Sequence, residues 1–364
     1  MFRTSRSLKL SLLLGGALSL SACGDDKTSP PSTTDSLDQA LVVNFADAVV
    51  VPTYNKLATR ITELDAAVAA LKADPSAAKL KAAQDAWVAA RLPWEQSESF
   101  LFGPVTSYQF DPALDSWPVN RTDLDAVLAN NNALTPAYVD NLDEAQKGFH
   151  TVEYLLFGEN RTRKETDFNA RQFEYLLAIT ANMKGISSQL ASAWTTGKDG
   201  NAPYRNTLAT AGDKTNTAYP TVESAAQEML TGIVGILDEV ANGKIADPYD
   251  AKDPNLVESQ FALNSLSDFS NNIRSVQNVY LGHLPDETTT GTTLTSVVQE
   301  KDAALDARVR QEITDAIAAL GQVPEPFPVS IKDPAAAPRI EAAQAAIRKL
   351  HDTFEKDVKK IVLP

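Results

Sequence analysis

Apolar residues recur every three or four positions along most of this chain, from about residue 37 onward. One series has the spacing of a single buried helix face: Leu57, Ile61, Leu64, Val68 and Leu71. Similar series follow at 305–320 and 340–361, and alanine is abundant throughout. The sustained alternation of apolar and polar residues that marks a half-buried strand is absent from the sequence. The pattern therefore predicts an all-α fold.

The predicted helices form two similar sets, separated by a polar break at 197–203. The first set lies at 38–73, 77–102, 136–157 and 167–197, and the second at 204–242, 256–282, 295–321 and 335–361. The second helix of each set ends similarly, with Phe-Leu-Phe-Gly in one and Val-Tyr-Leu-Gly in the other. We therefore predict two antiparallel four-helix bundles from an internal duplication, with the first bundle at 37–200 and the second at 201–364.

The first 22 residues have the pattern of an export signal. Three basic residues precede an apolar run at 10–20, which is too short to span a bilayer as a mature helix. The run ends in Leu-Ser-Ala-Cys, which resembles the lipobox of bacterial lipoproteins and implies cleavage before Cys23 and a lipid anchor on its sulfur. The polar, proline-bearing segment 23–36 would then be a lipidated, flexible tether.

The residue after the predicted cleavage site indicates a location. Gly24, rather than aspartate, follows Cys23, and by resemblance to enterobacterial lipoproteins this implies the outer membrane of the bacterial cell envelope. The alternative is an ordinary secretory signal with a chance cysteine.

Composition excludes several classes of protein. Cys23 is the only cysteine, so the exported part has no disulfide, no thiolate zinc site and no cysteine nucleophile. Removal of residues 1–22 takes away three positive charges and moves the formal net charge from −14 to −17. Such an acidic chain is not expected to bind nucleic acid.

His150 and Glu153 form the most informative pair in the sequence, since the chain has only three histidines. Residues three apart on a helix project from the same face, so the pair can offer a metal one imidazole nitrogen and one carboxylate oxygen. The apolar stretch 154–157 follows directly, and a carboxylate beside it would be costly unless it were paired or coordinated. The alternative is a partly buried histidine with a hydrogen-bond partner.

Other polar groups are weaker candidates. Glu98 lies among aromatic residues at a predicted helix end, and Asp115 lies in a proline-bearing loop; a solvated acidic stripe and an ordinary turn are the alternatives. The polar residues at 258–275 indicate a ligand cleft or an interface between the bundles. His283 lies in a loop, and His351 lies on a charged terminal helix.

These segments together resemble the imelysin family. The resemblance rests on the Gly-x-His-x-x-Glu element at 148–153, with support from segments at 94–98, 102–104, 116–118, 243–248 and 275–282. It covers essentially the whole mature chain. It implies two related helical bundles, an exported and often lipidated protein, and an association with iron acquisition.

The resemblance also implies a site near the junction of the bundles. Carried over to this sequence, His150 and Glu153 are the candidate metal ligands, Glu98 the third and Asp115 the fourth. Arg274 is the candidate for a nearby group that binds an anion or balances charge. An imidazole with carboxylates suits one divalent or ferric ion, with iron preferred and zinc also an option.

Three functions follow from these patterns. The leading hypothesis is an envelope lipoprotein that binds iron or an iron-bearing ligand for uptake, with an outer-membrane receptor as partner. The alternative is a metallopeptidase in which His150 and Glu153 hold zinc and Glu98 is the general base. The third is a helical docking scaffold without metal. The sequence favours binding over catalysis, because it has no second histidine at metal-ligand spacing and no H-E-x-x-H motif.

Overall fold

The computed structural model describes residues 37–285, 287–289 and 291–363. The predicted signal segment, Cys23 and the tether lie outside the described residues and stay predictions. The described residues contain helices and no strand, and their β-structure is limited to an isolated bridge between Lys198 and Asn201. The predicted all-α fold is confirmed. No helix in the described ranges combines the length and the apolar character needed to cross a membrane.

The first half of the described chain is built on three long helices, with shorter ones between them. Its α-helices are α1 (Ala40–Phe45), α2 (Val51–Ala73), α3 (Ala77–Glu95), α4 (Pro104–Ser107), α5 (Phe110–Asp115), α6 (Arg121–Ala129), α7 (Pro136–Asp140), α8 (Gly148–Phe157) and α9 (Ala170–Thr195). A π-helical turn, Ala46–Val50, joins α1 to α2, and a 3₁₀ turn, Glu98–Phe100, follows α3.

The second half continues in the same manner. Its α-helices are α10 (Tyr204–Ala209), α11 (Val222–Asp238), α12 (Ala246–Ala251), α13 (Ser265–Leu281), α14 (Leu294–Lys301), α15 (Ala303–Leu320), α16 (Phe327–Ser330), α17 (Ala337–Thr353) and α18 (Lys359–Val362). A π-helical turn, Glu239–Lys244, extends α11, and another, Phe354–Val358, joins α17 to α18.

Several predicted helices are interrupted or shortened. The prediction at 77–102 ends with α3 at Glu95, and the prediction at 295–321 is divided into α14 and α15 at Asp302. The prediction at 136–157 becomes α7 and α8, because α7 ends at Asp140 and the chain is extended at Lys147, before Gly148 with φ +74° begins α8. The prediction at 204–242 becomes α10 and α11, and the Thr221 hydroxyl caps the start of α11. The prediction at 256–282 begins only with α13, since the residues before it form turns.

The core forms where the apolar faces of these helices meet. The face of α2 that the sequence predicts is fully buried at each of its positions: Leu57, Ile61, Leu64, Val68 and Leu71. It packs against α3 and α9, while α15 packs against α17 in the second half. Burial of one apolar stripe per helix is what gives these helices most of their stability.

The two halves of the chain meet around the 3₁₀ turn Glu98–Phe100. Both α11 and α13 pack on this turn. Gly232 of α11 makes the approach possible, because a Cβ there would lie 2.0 Å from the carbonyl oxygen of Ser99. The backbone N–H of Ser99 donates a 2.9 Å hydrogen bond to the hydroxyl of Ser275 on α13. The predicted division into two duplicated bundles stays a prediction.

Gly148 sets the position of α8. In addition to its positive φ, a Cβ at this residue would lie 2.3 Å from the carbonyl oxygen of Leu114. The start of α8 therefore touches the end of α5, which places His150 beside Asp115. Only glycine allows both the backbone angle and this close approach.

We expect Gly148→Ala to lower the free energy of unfolding by at least about 2 kcal/mol, since alanine is strained at positive φ and its Cβ meets a backbone atom. Gly235→Ala is the matched control, because a Cβ at this exposed position of α11 meets nothing within 4 Å. It should raise stability by roughly 0.5–1 kcal/mol through its better helix propensity. Urea denaturation measures both values, and similar effects of the two substitutions would contradict the role given to Gly148.

Candidate metal centre

His150 lies at the centre of a buried polar cluster. Its Nδ1 is 2.9 Å from Oε2 of Glu153, one helical turn further along α8. Its Nε2 points the other way, 3.2 Å from Oδ1 of Asp115 and 3.9 Å from Oε1 of Glu258. This Nε2 is buried and has no hydrogen bond to the described residues. The imidazole therefore presents a nitrogen with no hydrogen-bond partner to two carboxylates.

Glu153 holds the imidazole in this orientation. One of its oxygens faces His150, and the other accepts hydrogen bonds from the backbone N–H groups of Phe261, at 2.8 Å, and Ala262, at 2.7 Å. Both carboxylate oxygens are thus engaged. The three-residue spacing seen in the sequence produces a pair in which glutamate orients histidine.

The charge state of His150 follows from these neighbours. Burial alone would lower the pKa of the imidazole, since the charged form loses its hydration. The contacts with the carboxylates of Asp115 and Glu153 outweigh burial and raise the pKa of His150 to about 10. In this arrangement the imidazole is therefore a cation at neutral pH.

Arg91 of α3 forms the most extensive set of ion pairs in the cluster. Its fully buried guanidinium contacts the carboxylates of Glu95 and Asp115. It also lies 2.9 Å from Oε1 of Glu258 and 3.7 Å from Oδ2 of Asp268. These partners come from both halves of the sequence, so Arg91 connects them electrostatically as well as by packing.

Asp115 is the carboxylate most strongly held as an anion. Burial raises the pKa of its carboxyl, but the Arg91 guanidinium and the contact with His150 outweigh it and bring the pKa well below its usual range. The indole Nε1 of Trp94 donates a 2.6 Å hydrogen bond to the other oxygen. Asp115 is thus ionised and bound on both of its oxygens.

Other carboxyls of the cluster behave differently. Burial is the largest influence on Glu95 and Glu98 and raises the pKa of each well above its usual range. Burial also raises the pKa of Asp268 to about 6. The raised pKa values show that the ionised form of these carboxyls is poorly compensated, so additional positive charge would stabilise that form.

Lys244 brings a second fixed cation from the π-helical turn Glu239–Lys244. Its buried Nζ lies 3.0 Å from Oε2 of Glu258 and 5.1 Å from the ring centroid of Trp117. π-Helical turns of this kind occur often at functional sites. Here the turn places a lysine against the carboxylate that also faces His150.

Two overlapping groups of side chains have ligand atoms close enough to share one metal ion. The first is Asp115, His150 and Glu258, and the second is Glu95, Glu98 and Asp115. Within each group the ligand atoms lie within 4.8 Å of one another. Asp115 belongs to both, which makes it the central carboxylate of the cluster.

A cavity of about 210 Å³ reaches Asp115 from the side of Glu98. Asp111, whose pKa burial raises to about 6, also lines it. Glu98 is 9% exposed and forms no hydrogen bond or ion pair with the described residues. The cavity therefore offers a route along which a small ion can reach the cluster.

The structure brings together most of the residues singled out in the sequence. His150, Glu153 and Asp115 are in direct contact, and Glu98 lies beside Asp115. Arg274 is half-buried on α13 and makes no hydrogen bond or ion pair with the described residues. The structure does not place it in contact with the other four.

Sequence reasoning did not assign Arg91, Lys244, Glu258 or Asp268 to the site. Arg91 has a local signal, because it is spaced four residues from Glu95 on the same helix face. Glu258 has only its place in the polar run at 258–275 as a signal, since its contact with Arg91 spans 167 residues of sequence. Such a pairing is created by the packing of the helices and cannot be read from spacing.

Comparison with protein families identifies relatives over nearly the whole chain. The family model described as imelysin matches residues 50–354. Iron-regulated protein A of Synechococcus elongatus is 34% identical over 353 residues, which cover 96% of this chain and 91% of that protein.

Solved structures include close matches to the fold. A protein from Parabacteroides distasonis, described as a candidate iron-regulated protein A precursor, aligns with a TM-score of 0.81 at 28% identity and covers 90% of this chain and 97% of its own. An imelysin-like protein from Psychrobacter arcticum aligns with a TM-score of 0.71 at 15% identity, with the same coverage, and supports the fold alone.

We expect Arg91→Met to lower the free energy of unfolding by about 3–5 kcal/mol, because it leaves buried carboxylates without their cation. Arg60→Met is the matched control, since Arg60 pairs with Glu63 on the exposed surface and should change stability by less than about 1 kcal/mol. Chemical denaturation followed by circular dichroism measures both. Equal losses would show that the guanidinium is not needed to neutralise the cluster.

Proposed function

The chain belongs to the imelysin family, and we propose that it binds an iron ion, or a small ligand that carries one, at the cluster around His150. The relatives named iron-regulated protein A support an iron-related role. The chemistry of the cluster supports a cation as the species that is bound.

The excess of buried carboxyl groups over fixed cations is the observation that carries this proposal. Among the described residues the cluster contains six buried carboxyl groups: Glu95, Glu98, Asp115, Glu153, Glu258 and Asp268. Arg91 and Lys244 are its fixed cations. The proton of His150 is not a fixed charge, because a metal ion bound to Nε2 would displace it. Uncompensated charge in a protein interior is costly. Burial raises the pKa of Glu95 and Glu98 for this reason, and a bound cation would favour the ionised form of such carboxyls.

The donor set fits a metal ion of the iron type. Asp115, His150 and Glu258 offer one nitrogen and two carboxylate oxygens within 4.8 Å of one another. A mixed imidazole and carboxylate set suits iron, manganese or zinc. The buried Nε2 of His150 supports the assignment, because it has no hydrogen bond to the described residues. When bound, the ion would supply positive charge to these carboxylates.

Glu153 is better suited to orient His150 than to bind the ion. It belongs to neither group of side chains whose ligand atoms can share one ion, and its oxygens face Nδ1 of His150 and two backbone N–H groups. A carboxylate that hydrogen-bonds the far nitrogen of a ligand histidine fixes both the tautomer and the ring direction. We therefore assign Asp115, His150 and Glu258 as the ligands, with Glu98 as the carboxylate at the cavity through which the ion enters.

Metallopeptidase activity at the same cluster is the second candidate. Glu98 is the observation in its favour, because it faces the 210 Å³ cavity without a hydrogen bond or ion pair to the described residues. A carboxylate in that situation is available to act as a general base. The shortage of imidazole ligands favours binding without hydrolysis.

We expect the purified protein to bind about one equivalent of iron, measured by elemental analysis and by titration. His150→Ala and Asp115→Asn should abolish binding, because each removes a ligand. Glu153→Gln should weaken it by roughly 10–100-fold, since it disturbs only the orientation of the imidazole.

His351→Ala is the control for this experiment, because His351 lies on α17 outside the cluster. It should bind iron as the unchanged protein does. Absence of iron, manganese and zinc binding in the unchanged protein would overturn the proposal and favour a docking scaffold. Cleavage of an unfolded protein substrate that is lost in Glu98→Gln with metal retained would favour the peptidase.

The proposed site of action is the bacterial envelope, with a lipid on Cys23 and an outer-membrane iron receptor as partner. The export signal and lipobox in the sequence support it. We expect the protein to incorporate radiolabelled palmitate and to fractionate with membranes, and Cys23→Ser to lose the label and be released. A control substitution at the neighbouring tether residue, Ser29→Ala, should change neither. Labelling of Cys23→Ser would contradict the anchor.

A further inference from the structure

A second cavity lies outside the metal centre. It has a volume of about 570 Å³ and adjoins the 210 Å³ cavity, because Trp117, Glu239 and Lys244 line both. The two are therefore neighbours, and we call the cavity at Asp115 the inner part and the larger cavity the outer part of the cleft that these residues line. The outer part falls in the size range of pockets that hold small organic molecules.

The walls of the outer part are largely apolar. Trp117, Pro118 and Leu256 line it, and Leu256 is one of the few large apolar side chains exposed among the described residues. A bare or hydrated metal ion would gain no free energy from contact with apolar walls. An organic body with an apolar surface would gain free energy by covering them.

The charged side chains that line the cleft are acidic, except for Lys244. Asp247 and Asp250 lie at the outer part, are exposed and form no hydrogen bond or ion pair with the described residues. Glu239 lines both parts, and Glu98 faces the inner part, nine-tenths buried and without a partner among the described residues. Lys244 is the one cation lining either part, and it is already paired with Glu258.

We propose that the outer part of this cleft binds a small organic cation, with its apolar body against Trp117 and its protonated nitrogen directed to Asp247 and Asp250. The inference rests on the proposed function, since it names the class of ligand that would accompany an ion into the metal centre. The carboxylates favour a positive charge. Nζ of Lys244 already lies 5.1 Å from the ring centroid of Trp117, so the indole contributes apolar surface for the body of the ligand.

Trp117 gives the experiment its signal. The chain has four tryptophans, and Trp87, Trp94 and Trp194 are fully buried whereas Trp117 is partly exposed. A ligand in the outer part of the cleft should therefore change the fluorescence of Trp117 more than that of the three buried tryptophans. Three probes share one apolar body and differ in charge: 4-phenylbutylammonium, 4-phenylbutanol and 4-phenylbutyrate.

We expect 4-phenylbutylammonium to change the fluorescence saturably and to bind at least about tenfold more tightly than the alcohol or the carboxylate. In Asp247→Asn/Asp250→Asn this preference should fall by about tenfold, because two exposed charges are lost. Asp125→Asn/Asp213→Asn is the matched control, since it removes the same charge from exposed positions that line neither cavity, and it should keep the preference. Trp117→Phe should remove the fluorescence change that 4-phenylbutylammonium causes.

Equal affinity for the three probes, or no saturable change with any of them, would overturn the inference. Iron content measured on the same samples separates this result from failure of the proposed function. Asp247→Asn/Asp250→Asn should still bind one equivalent of iron. Loss of iron in that variant would place the two aspartates in the metal centre and overturn the assignment of the outer cleft to an organic cation.

Discussion

The buried guanidinium of Arg91 is the interaction on which the rest of the site depends. It carries a fixed positive charge at a fully buried position, and such a charge persists only when carboxylates surround it. Glu95 and Asp115 come from its own half of the chain, while Glu258 and Asp268 come from the other. Satisfying one arginine therefore fixes the relative position of four segments.

Close contacts between backbones bring the ion-pair partners of the cluster within reach of one another. Gly148 lets α8 touch the carbonyl of Leu114, and Gly232 lets α11 touch the carbonyl of Ser99. The first contact brings His150 to Asp115, and the second brings the halves together near Glu98. Ion pairs at about 3 Å need the backbone placed with similar accuracy, and glycine is the residue that permits such an approach.

The sequence predicted those features that arise within a few residues of each other. The buried face of α2 and the His150–Glu153 pair are consequences of helical periodicity, and the structure contains both. The interruptions at Gly148 and before α13 depend on backbone angles that apolar periodicity does not encode. The partners of His150 across the cluster depend on tertiary packing, which is why the sequence did not single out Glu258 as a ligand or Arg91 as the cation of the site.

The site exists only when both halves of the chain are present. Glu153 orients His150, but its other oxygen is held by backbone N–H groups of Phe261 and Ala262, more than 100 residues away. The second half thus supplies both the support for the imidazole and one of the carboxylates that face it. The assigned ligands come from both halves, since Asp115 and His150 lie in the first and Glu258 lies in the second. A metal at this junction would then stabilise the contact between the halves as well as the carboxylates that bind it.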